Sequence, residues 1–190
     1  GSGKSTVAGM LTARGAVVID ADRVAHEVYA PGTEGFDKVV ARFGDGVLDD
    51  DGAVDRKALG GIVFGDPEAL ADLNAIIHPL VRKEVARRLL EAARTRPDAT
   101  IVIEAALMTE TGWTGGAGSL WVVITEPEIA LERLMRDRAM SEAEGRLRIG
   151  AQATNAARRK NATVVIENDG TLAELEAAVD RAWRAHVAVP

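Results

Sequence analysis

Four short, unbroken apolar runs punctuate the chain: Ala16-Val17-Val18-Ile19, Ile101-Val102-Ile103, Leu120-Trp121-Val122-Val123-Ile124 and Val164-Val165-Ile166. Runs of this length, apolar at every position, predict strands buried on both faces, as in a parallel sheet. The first leads into Asp20-Ala21-Asp22 and the second into Glu104, so acids stand at two strand ends. Between the runs the spacing turns helical. Val7, Met10 and Leu11 recur at helical intervals, with Gly15 as the stop. Pro127 sits at a helix start, ahead of Ile129, Leu131 and Leu134. Asp66-Pro67 opens another helix through Leu70, Leu73, Ile76 and Ile77, which Pro79 is expected to interrupt. Ser141 to Glu144 and Thr171 to Glu174 read as capping boxes. The β-α alternation predicts an α/β fold of three layers around a parallel sheet. Residues 30–95 hold helical patterns without a strand, too long for a plain crossover, and are expected to form a small subdomain.

The chain opens Gly1-Ser2-Gly3-Lys4-Ser5-Thr6, the back half of the phosphate-binding pattern G-x-x-x-x-G-K-[ST]. Glycines let backbone N–H groups crowd around a phosphate chain, and the helix that follows turns its positive end toward it. The lysine supplies a mobile cation and the serine a hydroxyl for Mg²⁺. The motif's first glycine and the strand that feeds it are expected ahead of Gly1, roughly ten residues. With that strand the sheet would be five-stranded. Asp49-Asp50-Asp51-Gly52 contains a D-x-x-G, but it follows no buried run and no N-K-x-D accompanies it, so it reads as an acidic surface turn.

Composition narrows the function classes. The 190 residues include no cysteine, which excludes a disulfide scaffold and a thiolate metal site. The three histidines, His26, His78 and His186, form no pair at zinc-binding spacing. No apolar stretch is long enough to predict a membrane span, and no signal peptide is evident, so a cytoplasmic address is expected. The net charge of −6 argues against a nucleic-acid partner. From Arg133 to Lys160, however, eight basic residues face three acidic ones.

The full set of motifs resembles the dephospho-CoA kinase family. The resemblance rests on Ile19-Asp20-Ala21-Asp22, Pro31-Gly32-Thr33, Phe43-Gly44, Asp51-Gly52, Asp55-Arg56, Leu59, and Val63-Phe64 before Asp66-Pro67. It continues with Leu73-Asn74-Ala75-Ile76-Ile77-His78-Pro79, Glu110-Thr111-Gly112, Arg136-Asp137, Arg148-Ile149, Gln152 and Asn168, and reaches to about Trp183. It implies a P-loop kinase that moves the γ-phosphate of ATP to the ribose 3′-hydroxyl of dephospho-CoA, the last step of coenzyme A synthesis. Residues 1–29, 96–135 and 161–190 would be the nucleotide core, 30–95 the acceptor-binding subdomain and 136–160 a lid. Asp22 matches the residue that activates the acceptor hydroxyl, and a carboxylate within reach can accept that proton. Gly1, Ser2, Gly3, Lys4, Ser5 and Thr6 would hold ATP, with Arg136, Arg148, Gln152 and Asn168; Lys4 and Arg136 would also act in catalysis. Arg148 and Gln152 are expected four apart on one helix face. The basic excess would close over the phosphates; Arg133 and Arg138 could equally be solvated and are left out of the site. His78 and Arg82 are the further acceptor candidates, though His78 fits a structural histidine beside Ile76 and Ile77 at least as well. Ser5 would hold Mg²⁺, with Asp20 and Glu104 as candidates through water. Asp20 and Asp22 both also fit an N-cap of the helix at Ala25, a role better suited to Asp20.

The chain departs from the family at Glu104, where aspartate is commoner, at Ala105-Ala106, and at Thr163. Two other readings compete: another adenylate-kinase-like small-molecule kinase, and an ATP-binding domain without transfer. The Pro-Gly-Thr and His-Pro marks in 30–95 speak against the first. Lys4, Ser5, Asp22 and Arg136 together speak against the second. Trp113, Trp121 and Trp183 read as packing residues. Oligomeric state is not assigned.

Overall fold

The computed structural model describes residues 1–105 and 116–187. Ala106, Glu110-Thr111-Gly112 and Trp113 lie outside the described residues. The chain divides into two compact units, Gly1–Val18 with Asp98–Pro190, and Ile19–Pro97.

The first unit is the α/β part. Helix α1 (Lys4–Ala13) leads to β1 (Val17–Asp20), whose last two residues begin the second unit. After the second unit come β2 (Ile101–Glu104), β3 (Trp121–Ile124), α6 (Pro127–Arg138), α7 (Glu142–Gly150), α8 (Asn155–Asn161), β4 (Val164–Glu167) and α9 (Leu172–His186). The four apolar runs thus become the four strands of the described residues. They pair as two two-stranded sheets, β1 with β2 and β3 with β4. Val17 N–H donates to Thr100 O at 2.9 Å. The β3–β4 pair is parallel, with Trp121 opposite Val164 and Ile124 opposite Glu167. Val7, Leu11, Ala16, Val164, Ile166, Leu175 and Val179 form one buried cluster, with Trp121 and Trp183 packed against it. Full burial of one such aliphatic side chain stabilises by about 1.5–3 kcal/mol. At the end of α1, Arg14 joins Asp180 of α9 and donates to Met10 O at 2.6 Å. Both capping boxes form, Ser141 with Glu144 and Thr171 with Glu174.

The second unit is helical. It contains α2 (Ala21–Glu27), α3 (Glu34–Phe43), a 3₁₀ turn at Asp45–Val47, α4 (Arg56–Val63) and α5 (Pro67–Thr95). Each of the four α-helices starts on a side-chain cap: Asp20, Thr33, Asp55 and Asp66 accept from backbone N–H groups of the first turns. Such caps satisfy donors that the helix cannot bond itself. Gly35 lies so close to Val28 O that a Cβ there would overlap it. Asp49 Oδ1 accepts from the N–H groups of Asp51 and Ala53, and Leu48 bridges Val54, so Asp49–Gly52 is a local turn.

One expectation is corrected here. The helix from Asp66-Pro67 does not stop at Pro79 but runs 29 residues to Thr95. Proline removes one i→i−4 bond and crowds the preceding turn. Ile77, Val81 and Val85 are buried at successive four-residue steps across that point. Burial of this continuous apolar stripe on both sides of Pro79 outweighs the lost bond. Among the described residues, no helix is long and apolar enough to cross a membrane.

Candidate functional site

The entry to α1 has the geometry of a phosphate cradle. Gly3, the N-cap, has φ 87° and ψ 17°, a left-handed conformation that favours glycine. No side chain caps the helix there. An anion at this end would meet the first N–H groups of the helix and its positive pole.

Two α1 side chains converge on one acid. Lys4 Nζ lies 2.7 Å from Glu104 Oε1, and Ser5 Oγ donates to the same oxygen at 2.7 Å. Glu104 is buried at the end of β2, with 7% of its side chain exposed, while Lys4 keeps 33%. The donor set is a hydroxyl and a carboxylate, both hard oxygen ligands. That fits Mg²⁺, which takes few protein ligands and completes its shell with water and phosphate oxygens. Among the described residues no cluster of three acidic, histidine or cysteine side chains could hold a metal without such help.

The loop is braced from below. Asn168 is buried, and its Nδ2 donates to Ser2 O at 2.9 Å. Its N–H donates to Ile124 O at 2.9 Å. Thr125 Oγ1 lies 3.2 Å from Ser2 O and 3.1 Å from Asn168 O, so one hydroxyl hydrogen serves two carbonyls. Arg133 donates to Asn168 O at 2.7 Å, and Asn155 Nδ2 to Thr125 O at 2.9 Å. A Cβ on Gly3 would overlap the Asn168 amide. Asn168, expected at the nucleotide, thus has its side-chain amide on the loop backbone. Thr125, Arg133 and Asn155 were not among the expected site residues. The only sequence signal for Thr125 was its place at a strand's C-terminal end, where ligands of α/β folds bind.

Most of the basic segment is exposed, while Arg133 and Arg158 are half-buried. Arg136, at the end of α6, forks onto its neighbour Asp137, with Nε 2.6 Å from Oδ1 and Nη2 3.0 Å from Oδ2. Each holds the other's charged form: the carboxyl of Asp137 titrates lower and the guanidinium of Arg136 higher than usual. Arg148 is exposed on α7. Gln152 does not share that helix, because α7 ends at Gly150 and Ala151 caps it. Gln152 N–H bonds Ile149 O at 3.1 Å, and its side chain accepts from Arg158. Gly145 packs on Leu131, so α7 lies close on α6.

In the helical unit, Asp20 caps α2, accepting from Arg23 N–H at 2.9 Å. Asp22 lies exposed in the first turn of the same helix. His78 is half-buried on α5, and Arg82 is exposed one turn on.

A glycine in left-handed conformation, a Lys-Ser pair opening a helix and an acid at a neighbouring strand end define a P-loop phosphotransferase of the α/β class. The comparisons narrow the class. A family model described as dephospho-CoA kinase matches residues 1–174. The dephospho-CoA kinase of Moorella thermoacetica is 45% identical over 183 residues, 96% of this chain and 86% of its own length. That of Streptomyces avermitilis is 47% identical over 96% of this chain and 88% of its own. The crystal structure of TT1252 from Thermus thermophilus superposes with a TM-score of 0.78 at 34% identity, covering 98% of this chain and 93% of that one. Dephospho-CoA kinase from Campylobacter jejuni shares the fold, with a TM-score of 0.68 at 24% identity over 96% of this chain and 90% of its own. The chain belongs to the dephospho-CoA kinase family.

Proposed function

We infer that this protein transfers the γ-phosphoryl group of ATP to the ribose 3′-hydroxyl of dephospho-CoA, giving CoA and ADP as the final step of coenzyme A biosynthesis. The observation that carries the reading is the meeting of Lys4 and Ser5 on Glu104 behind a left-handed Gly3, in a chain that matches the family over residues 1–174. No observation favours another acceptor or an ATP-binding domain without transfer.

The roles follow from the chemistry. Gly1 to Thr6 cradle the phosphates, and Lys4 leaves Glu104 for the β and γ oxygens when ATP enters. Ser5, with Glu104 behind it, would hold Mg²⁺, whose charge would offset that of the phosphates. Asp22 accepts the proton of the 3′-hydroxyl as its oxygen bonds the γ-phosphorus and the bond to the bridging oxygen breaks, releasing ADP. Asp20 keeps α2 capped, which fixes where Asp22 begins its turn. His78 and Arg82 are proposed for the acceptor within residues 30–95. Residues 136–160 act as the lid, in which Arg136 exchanges Asp137 for phosphoryl oxygens, with Arg148 and Gln152 beside the nucleotide. Asn168 serves ATP by holding Ser2. We also read β1–β2 and β3–β4 as parts of one five-stranded parallel sheet, since α1 lies against both β2 and β3. ATP and dephospho-CoA are the partners proposed, in a soluble cytoplasmic setting.

The test is to incubate the protein with Mg²⁺, ATP and dephospho-CoA and to identify products by mass and phosphorus NMR. Equal amounts of ADP and a new 3′-phosphomonoester are expected. ATP hydrolysis without a new phosphomonoester would overturn the reading.

A further inference from the structure

A hydrogen-bonded chain in the helical unit takes no part in the chemistry above. Arg56, the first residue of α4, places Nη2 2.6 Å from His26 Nε2. A guanidinium only donates, so Nε2 is bare and accepts. The ring's other nitrogen, Nδ1, lies 2.7 Å from Tyr29 Oη. The proton of the neutral ring therefore sits on Nδ1 and is donated to the tyrosine oxygen. The two rings meet edge to face, 5.9 Å apart at 89°. Both partners of the imidazole are thus fixed in direction as well as in distance.

The location matters. His26 follows Asp22 by four residues on α2, so both side chains leave the same helix face. The charged and titratable groups facing the ring are Asp20 at the end of β1, Asp22 from α2, Tyr29 just beyond it, and Arg56 from α4. The chain brings a cation to the face that carries the acceptor's base. We propose that His26 is a positioning residue for phosphoryl transfer: as the neutral Nδ1–H tautomer it anchors Arg56 beside Asp22, and on protonation it releases it. The proposal rests on the role given to Asp22 and on dephospho-CoA as acceptor. An anchored Arg56 gives this face a fixed positive charge at the ring on which the Asp22 carboxylate also acts. That pairing suits an acceptor that presents a hydroxyl to deprotonate and carries negative charge of its own.

The switch is a consequence of the bond's direction. A proton on Nε2 converts the acceptor of the Arg56 bond into a donor, and sets imidazolium against guanidinium. Burial, followed by the charge of Arg56, holds the ring below the ordinary histidine value of 6.5, against the opposing pull of Asp22 and Asp20. The anchored form therefore prevails at neutral pH and above, and is lost as pH falls through a value below 6.5.

The experiment is the pH profile of kcat/KM for dephospho-CoA at saturating MgATP, for wild type, His26→Ala and His26→Gln. Glutamine offers an amide oxygen near the Nε2 position but does not titrate. His26→Ala is expected to lose about tenfold in kcat/KM for dephospho-CoA at neutral pH, the scale of one hydrogen bond to a charged group, with KM for ATP unchanged. His26→Gln is expected to restore most of that loss and to lack the acid limb of the wild type. A wild-type acid limb in His26→Gln, or an unchanged kcat/KM in His26→Ala, would overturn the proposal while wild-type transfer stands. Absence of transfer by the wild type would overturn the functional reading and the proposal with it.

Discussion

Asp20 and Asp22, two residues apart, receive different work from the backbone. Asp20 ends β1 with extended dihedrals, so its carboxylate folds back on Arg23 N–H and caps α2. Asp22 already lies inside the helix. Asp22→Asn should lower kcat by about 10²–10⁴, the scale of a general base, and leave Tm unchanged. Steady-state turnover measures it, and an unaltered kcat would remove the assignment. Asn168 makes a different prediction. Its amide holds Ser2 O and fills the space where a Gly3 side chain would stand. Asn168→Ala leaves that carbonyl to Thr125 and should raise KM for ATP about tenfold, roughly one buried hydrogen bond. ATP saturation curves test this, and an unchanged KM would show the loop needs no brace.

The elements differ in how far they were legible from sequence. Caps are local: Ser141 with Glu144 and Thr171 with Glu174 bond within four residues, and the pattern alone located both helix starts. The four strands were legible because they are apolar at every position. The Lys4-Ser5 pair was legible because its motif is contiguous. The course of α5 was not, since what carries it through Pro79 is the burial of Ile77, Val81 and Val85 in a unit where α2, α3 and α4 pack on α5. Thr125 and Arg133 were illegible for the same reason: their partner Asn168 is 43 and 35 residues away. α5 also carries a prediction about acid. Arg87 and Arg88 hydrogen-bond Glu84 and hold its carboxyl down, from an ordinary 4.5 to about 2. Arg88 also pairs with Glu27, tying α5 to α2. A lowered folded-state value means that this stabilisation is complete above 4.5 and lost as pH falls toward about 2. Glu84→Gln should therefore lower Tm at pH 7 and narrow the difference from wild type as pH falls through that window. Melting curves measure it, and a difference independent of pH would contradict it.

At the scale of the molecule, the residues proposed for the chemistry fall in two compact units. The unit of Gly1–Val18 with Asp98–Pro190 contains the loop, its brace and the arginine-rich segment, all parts suited to a nucleotide's phosphates. The unit of Ile19–Pro97 contains Asp22, the His26 chain and the long α5 with His78 and Arg82. A kinase needs both kinds of surface, one for the donor's charge and one for the acceptor's hydroxyl. Eight of the chain's 23 basic residues lie between Arg133 and Lys160, in the first of these units. Family membership and these surfaces together point to one acceptor. The most direct measurement offers dephospho-CoA, AMP, adenosine and shikimate together with MgATP and compares initial rates of phosphorylation. Phosphorylation of dephospho-CoA far ahead of the other three is the predicted result. Preferential phosphorylation of any of the others would contradict the account.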